Sequence, residues 1–228
     1  MKHFAVVPVK GPADAKKRLA GYLGPGDRKR LVLAMMADVL EALHRSDLFE
    51  EVMVISPDES VANEAQEKSA RFVRQNGTGL NSAVRQAVRS VWHKQVSSMT
   101  IILTDLPLLE PRDLEELVHI SKAVPRVVLV PSSKGGTNVM LRAPPNIIES
   151  SYGRWSYGKH LRHAQNKGVP AYSVSNPRIS FDVDTIDDLR KLRRLDSSGR
   201  SNAGKLARQL GRLHLLSRNN RLESPTRL

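Results

Sequence analysis

Runs rich in Val and Ile alternate along this chain with runs of helical periodicity, and that alternation restricts the fold more than any other feature. Strands are expected at HFAVVPV (3–9), EEVMVIS (50–56), ARFVRQ (70–75), MTIILT (99–104), RVVLVPS (126–132), TNVMLRA (137–143), VPAYSVS (169–175) and ISFDVDT (179–185). Between them lie helical patterns at 25–46, 59–69, 79–94, 111–124 and 155–168, with a last one at 186–195. In the first helix Leu31, Met35, Met36, Val39, Leu40 and Leu43 recur at helical spacing and form an apolar stripe. Pro111 opens one helix, Gly168 stops another, and Thr185 with Asp188 makes a capping box for the last. Such alternation implies βαβ units, hence an α/β fold: a mixed, mostly parallel sheet with helices on both faces. Ligands of such sheets bind beyond the carboxyl ends of the strands.

The chain has 228 residues, enough for one good core and short for two full domains. No run of eighteen apolar residues is present, so no spanning helix is expected. The start, MKHFAVVPVKGP, reads as a first strand rather than a secretory leader. The absence of cysteine excludes disulfides, thiolate metal sites and thiol nucleophiles. A cytoplasmic protein is the expectation. Net charge is +13, and the segment from Arg193 to Leu228 holds nine Lys/Arg against two Asp/Glu. Seven of the excess charges thus sit in the last 36 residues. With the Ser-, Gly- and Asn-rich stretch from Asp196 to Gly204, this suggests a division into 1–192 and a basic extension, 193–228. A basic tail suits a solvated or partner-packing helix, or binding to nucleic acid or an acidic membrane. The smaller excess in the body suits an anionic substrate.

The most informative residues lie in ISFDVDT. If this stretch is a strand, Ile179, Phe181 and Val183 share one face, and Asp182 and Asp184 share the other. Two carboxylates on one face repel each other and resist burial unless a divalent cation joins them. Mg²⁺ takes oxygen ligands, often carboxylates together with substrate phosphates. Asp105, closing the apolar strand of IILTDLPLL, is a third candidate ligand. Cap or turn chemistry is the plainer reading of either pattern alone; both at expected strand ends favour a metal.

Basic, glycine and hydroxyl residues follow other strand ends. Lys10, Lys16, Lys17 and Arg18 come after the first strand and suit a triphosphate, or else a solvated loop. SSKGGTN offers glycines followed by Thr137 and Asn138, which suit an anion or a hairpin turn. YGRWSYGKH places Gly153, Ser156 and His160 at a helix start, where Ser156 serves a phosphate or simply caps the helix. GRSNAGKL, from Gly199, nearly matches a P-loop, but Leu206 stands where Ser or Thr should hold Mg²⁺ and no strand precedes it.

The order PVK…AKKRL, SPD, GLNSAV, TDLPLL, GGTN, YGRWS and DVDTIDDL resembles the phospholactate guanylyltransferase family, CofC-like with its bacterial FbiD branch. The resemblance covers about residues 3–192. It implies the Rossmann-like fold of nucleotide-diphospho-sugar transferases. It also implies transfer of a guanylyl group from GTP to the phosphate of a three-carbon acid, with release of pyrophosphate, in the synthesis of the deazaflavin coenzyme F-420. The acid would be 2-phospho-L-lactate, phosphoenolpyruvate or 3-phosphoglycerate. On this resemblance Asp105, Asp182 and Asp184 are the catalytic Mg²⁺ ligands, for two ions. Thr137, Asn138, Gly153 and Ser156 contact the acceptor acid. Pro8, Val9, Lys10, Lys16, Arg18, Asp58, Gly79, Leu80 and Asn81 form the GTP side. A homodimer is expected at the family level; neither a membrane nor a specific nucleic acid is. Two departures stand out: Lys17 replaces a small hydroxyl residue, and the basic tail is longer than the pattern needs.

Alternatives remain open at this level. A transferase of the same fold could use CTP and a cofactor precursor, or a nucleotide sugar. A nucleic-acid binder would exploit the positive charge, although 4% aromatic residues leave few stacking platforms. A degenerate scaffold could bind a partner through the tail.

Overall fold

A computed structural model describes residues 2–11, 15–120 and 124–212. Seven strands form one sheet: β1 (His3–Pro8), β2 (Glu51–Ser56), β3 (Arg71–Arg74), β4 (Ser98–Ile102), β5 (Arg126–Pro131), β6 (Thr137–Ala143) and β7 (Ala171–Ser173). Their spatial order is β3-β2-β1-β4-β6-β5-β7. Every pairing is parallel except those of β6, which runs antiparallel to both β4 and β5. The helices are α1 (Pro25–Ser46), α2 (Ala62–Glu67), α3 (Leu80–Ser90), α4 (Pro111–His119), α5 (Ser156–Asn166), α6 (Ile186–Leu195) and α7 (Asn202–Arg212).

Side-chain alternation on the strands divides the core in two. Ala5 and Val7 of β1 face one layer, together with the apolar residues of α1, α4, α6 and α7. Phe4 and Val6 face the other, against α3 and α5. The expected stripe of α1 is entirely buried. The structure therefore has the expected α/β class, mostly parallel sheet and two-sided helical cover. None of the described helices is long and apolar enough to cross a membrane.

The topology gathers one set of loops at one edge. β1 and β4 are parallel neighbours, so their carboxyl ends open side by side. β6 runs the other way, with Val139 opposite Ile102, so its first residue, Thr137, lies just beyond the end of β4. Pro131, at the end of β5, pairs with Thr137. Thus β1, β4, the β5–β6 turn and the start of β6 all deliver residues to the same place.

Two expectations need correction. ISFDVDT is not a strand: residues 179–185 are turn and extended coil. Its bonds to neighbours are isolated ones, Val183 N–H to the Asp105 carbonyl at 3.1 Å and Ser133 N–H to the Ser180 carbonyl at 3.2 Å. Alternation persists without a ladder, because Ile179, Phe181 and Val183 are buried in the α1-side core. The chain from Arg193 is also not simply an appended tail. Ala203, Leu206, Ala207 and Leu210 of α7 are buried in the same core as α1. The start of α7 is docked by Asp38 of α1, which accepts from the Asn202 and Ala203 amides at 2.6 and 2.9 Å. Charge and a Ser/Gly-rich turn had masked an apolar i, i+3, i+4, i+7 pattern. The basic residues after Arg212 lie outside the described residues.

Candidate active site

Asp105 follows β4, and the coil before α6 carries Asp182 and Asp184. The bond between Val183 N–H and the Asp105 carbonyl clips these distant segments together. Behind them, the Asn138 side chain donates to the Ile179 carbonyl at 2.9 Å. In front, Asp188 accepts from the Asp184 and Thr185 amides at 3.1 and 2.9 Å, and Thr185 Oγ1 accepts from the Asp188 amide. Carboxylate oxygens of Asp105, Asp182 and Asp184 all lie within 4.8 Å of one another.

Three neighbouring carboxylates require cations, and two lysines supply them. Lys16 Nζ donates to Asp105 Oδ2 at 3.0 Å and to Asp184 Oδ1 at 2.9 Å. Lys16 adopts the left-handed backbone conformation, with φ 54°, which is uncommon for a non-glycine residue. Lys134, in the β5–β6 turn, lies 3.1 Å from Asp188, 3.6 Å from Asp182 and 3.8 Å from Asp184. Burial opposes the Lys16 ammonium, but Asp105 and Asp184 outweigh it and raise its pKa. The two neighbouring acids move apart. Burial, reinforced by the Asp105 charge, pushes Asp182 up to about 6. Burial acts the same way on Asp184, but Lys16 overcomes it and holds that carboxyl low.

The donor set fits a hard divalent cation: oxygen ligands only, converging from two segments. Asp105 also keeps one buried oxygen, Oδ1, without a hydrogen-bond partner. The Lys16 ammonium already bridges two of the carboxylates, so a cation is accommodated electrostatically.

A cavity of about 670 Å³ opens on this cluster, lined in part by Pro8, Val9, Lys10, Lys16, Arg18, Gly79, Leu80, Asp105 and Asp184. Gly79, with φ 78°, immediately precedes α3, and no side chain caps the helix. Gln75 organises the preceding turn by donating to the Gly77 and Gly79 carbonyls at 2.8 and 3.0 Å. Two residues anticipated on the nucleotide side bond to backbone groups. Asp58 caps the turn after β2 by accepting from the Ser60 amide at 2.8 Å. Asn81 clasps the Tyr152 backbone, donating to its carbonyl at 3.1 Å and accepting from its amide at 2.8 Å. That clasp fixes the segment carrying Gly153. A larger groove, of about 910 Å³, lies between α1, α4 and the α6–α7 turn and contains none of the three aspartates.

Thr137, Gly153 and Ser156 come together. Ser156 Oγ donates to Thr137 Oγ1 at 3.3 Å, and the Ser156 amide donates to the Gly153 carbonyl at 3.2 Å. Asn138, grouped with them from sequence, acts as the strut under Ile179. Thr137 Oγ1 also lies 3.0 Å from His160 Nδ1. Gly135, with φ 79°, lets the Trp155 ring pack over the turn; a Cβ there would sit 2.6 Å from the indole. Lys134, Asp188 and Gln75 escaped sequence reasoning. In sequence Asp188 reads only as a cap, and nothing in local pattern marks an exposed lysine or a half-buried glutamine as converging on a site.

A phosphoenolpyruvate guanylyltransferase of Rubrobacter xylanophilus is 38% identical over 200 residues, covering 87% of this chain and 96% of that protein. A 2-phospho-L-lactate guanylyltransferase of Methanocaldococcus vulcanius is 31% identical over 190 residues, covering 83% of each. Among solved structures, a Desulfovibrio desulfuricans G20 protein assigned to the nucleotide-diphospho-sugar transferases superposes with TM-score 0.74 over 95% of this chain and 98% of that one. At 18% identity that likeness speaks for the fold alone. The family of CofC-like guanylyl transferases matches residues 3–211, nearly the whole chain, and the chain belongs to it.

Proposed function

We propose that this protein transfers a guanylyl group from GTP to the phosphate of a three-carbon acid, releasing pyrophosphate, for deazaflavin coenzyme synthesis. The observation that carries the reading is the convergence of Asp105, Asp182 and Asp184, of which Asp105 and Asp184 line a cavity together with Lys10, Lys16 and Arg18. The hydroxyl cluster of Thr137 and Ser156 on the same sheet edge supports it. The 38% identity to a phosphoenolpyruvate guanylyltransferase makes phosphoenolpyruvate the first acceptor to test.

In this reading Lys10, Lys16 and Arg18 bind the triphosphate, and the uncapped start of α3 at Gly79 and Leu80 faces its phosphates. Asp105, Asp182 and Asp184 hold Mg²⁺, which when bound offsets the charge of the transferred phosphoryl group. Thr137, Ser156 and the Gly153 loop orient the acid. An oxygen of the acceptor phosphate attacks the α-phosphorus in line. The bond from that phosphorus to the bridging oxygen breaks, and pyrophosphate leaves with the electron pair. No covalent protein intermediate is required. The protein's contribution is to hold two anions in register and to neutralise their repulsion.

The test is a matrix of four nucleoside triphosphates against phosphoenolpyruvate, 2-phospho-L-lactate and 3-phosphoglycerate, with Mg²⁺, following pyrophosphate. GTP with one of the acids is expected to give turnover. Turnover with CTP alone, or none with any combination, would overturn the proposal.

A further inference from the structure

The hydroxyl cluster contains a histidine to which the proposed reaction assigns no part. His160 is fully buried on α5, with its ring edge-on to Tyr152 at a centroid distance of 5.0 Å. The Ser151 amide donates to its Nε2 at 2.9 Å. A backbone amide can only donate, so Nε2 carries the lone pair. Burial, with the charges of Arg142, His163 and Lys159 adding to it, holds the ring's pKa down at about 4, so the ring is neutral. Its single proton therefore sits on Nδ1. Nδ1–H then donates to Thr137 Oγ1, 3.0 Å away, and Ser156 Oγ donates to the same oxygen at 3.3 Å. A hydroxyl has two lone pairs and one proton. With both lone pairs occupied, Thr137 keeps its proton for a third partner.

We propose that His160 is a positioning residue: its Nδ1–H fixes the Thr137 hydroxyl as a donor to an anionic group of the acceptor acid. In the opposite tautomer Thr137 would spend its proton on Nδ1 and turn a lone pair toward the anion. The Ser151 amide thus decides, through one ring, whether Thr137 attracts or repels an anionic substrate. The inference rests on the reading of Thr137 as an acceptor contact.

Two measurements test it on the full chain. In ¹⁵N-histidine-labelled protein near neutral pH, His160 is expected as the Nδ1-protonated tautomer; an Nε2-protonated ring overturns the inference. Kinetics with GTP and phosphoenolpyruvate use two carboxamides. His160→Asn places its amide where Nδ1 was, and His160→Gln places it where Nε2 was. His160→Gln is expected to raise the acceptor KM about tenfold, the scale of one hydrogen bond to a charged group, with the GTP KM nearly unchanged. His160→Asn is expected to restore most of that loss. In a Thr137→Val background, itself raised in acceptor KM, His160→Gln should add nothing further. Equal effects of Asn and Gln, or a full Gln effect on top of Thr137→Val, would reduce His160 to a packing residue. An unchanged acceptor KM in Thr137→Val would instead remove the acceptor-site reading beneath it.

Discussion

The acidic cluster and the hydroxyl cluster share one sheet edge and solve opposite problems. Asp105, Asp182 and Asp184 are like charges that balance only through borrowed cations, Lys16 and Lys134. Thr137, Ser156 and His160 are neutral, buried and bonded to one another. In the proposed reaction the first region exchanges partners: a carboxylate held by a lysine would be held by a metal instead. The second is built before any ligand arrives. Charge must be left unfinished to receive charge, whereas neutral donors can be completed in advance.

The largest expected effect comes from breaking the acidic side. Asp105→Ala or Asp184→Ala should lower kcat/KM by about a thousandfold or more, since charge stabilisation of the transferred group is lost. The circular-dichroism spectrum and the hydroxyl cluster should survive. Activity within tenfold of wild type would mean that these carboxylates do not serve the transfer.

Lys16→Met sharpens the contrast by leaving the fold and deleting the borrowed cation. Asp105 would lose its ion pair and Asp184 would keep only Lys134, 3.8 Å away, a defect on the order of 3 kcal/mol. The metal-free melting temperature should fall, and Mg²⁺ alone should recover more of it than it adds to wild type. An unaltered melting temperature would mean that Lys16 neutralises nothing.

Acid should move the two regions in opposite directions. His160 has its folded pKa depressed from 6.5 to about 4. The unfolded chain therefore takes up that proton first, and stability present above pH 6.5 is lost as the pH falls toward 4. The full shift corresponds to about 3 kcal/mol. Asp182, raised to about 6, takes up its proton earlier when folded, so its share of stability grows as the pH falls through 6. Asp38, raised likewise by burial to about 6, acts in the same sense. Subtracting the stability profile of His160→Asn from that of wild type isolates the histidine. A flat difference between pH 7 and 4 would contradict the neutral-cluster description.

How much of this was legible follows from where each bond partner lies. The α1 stripe and the Thr185/Asp188 cap are local, and both are found as read. The DxD pattern placed two carboxylates together, but for a different reason than supposed: the segment is a coil pinned by Asp105 and Asn138, not a strand. Alternation reports burial on one side, which an extended coil also achieves. Asn81 and Asp58 bond to backbone partners that no spacing reveals. Lys134 and the tautomer of His160 depend on the fold alone, since each is defined by groups remote in sequence or by a loop's amide direction.

The smallest expected effect concerns the hinge between the two regions, the turn at Gly135. A Cβ there would meet the Trp155 ring at 2.6 Å, and the backbone sits at φ 79°. Gly135→Ala therefore carries two costs, left-handed strain of about 1 kcal/mol and a clash that the exposed indole can relieve by moving. The acceptor KM should rise a fewfold, because the turn leads directly into Thr137 and the Tyr157 amide donates to the Gly135 carbonyl at 3.4 Å. In a Trp155→Ala background only the strain should remain, so the stability cost of Gly135→Ala should fall to about 1 kcal/mol. An undiminished cost there would mean that the glycine serves backbone conformation alone and that the tryptophan does not lock the turn over the hydroxyl cluster.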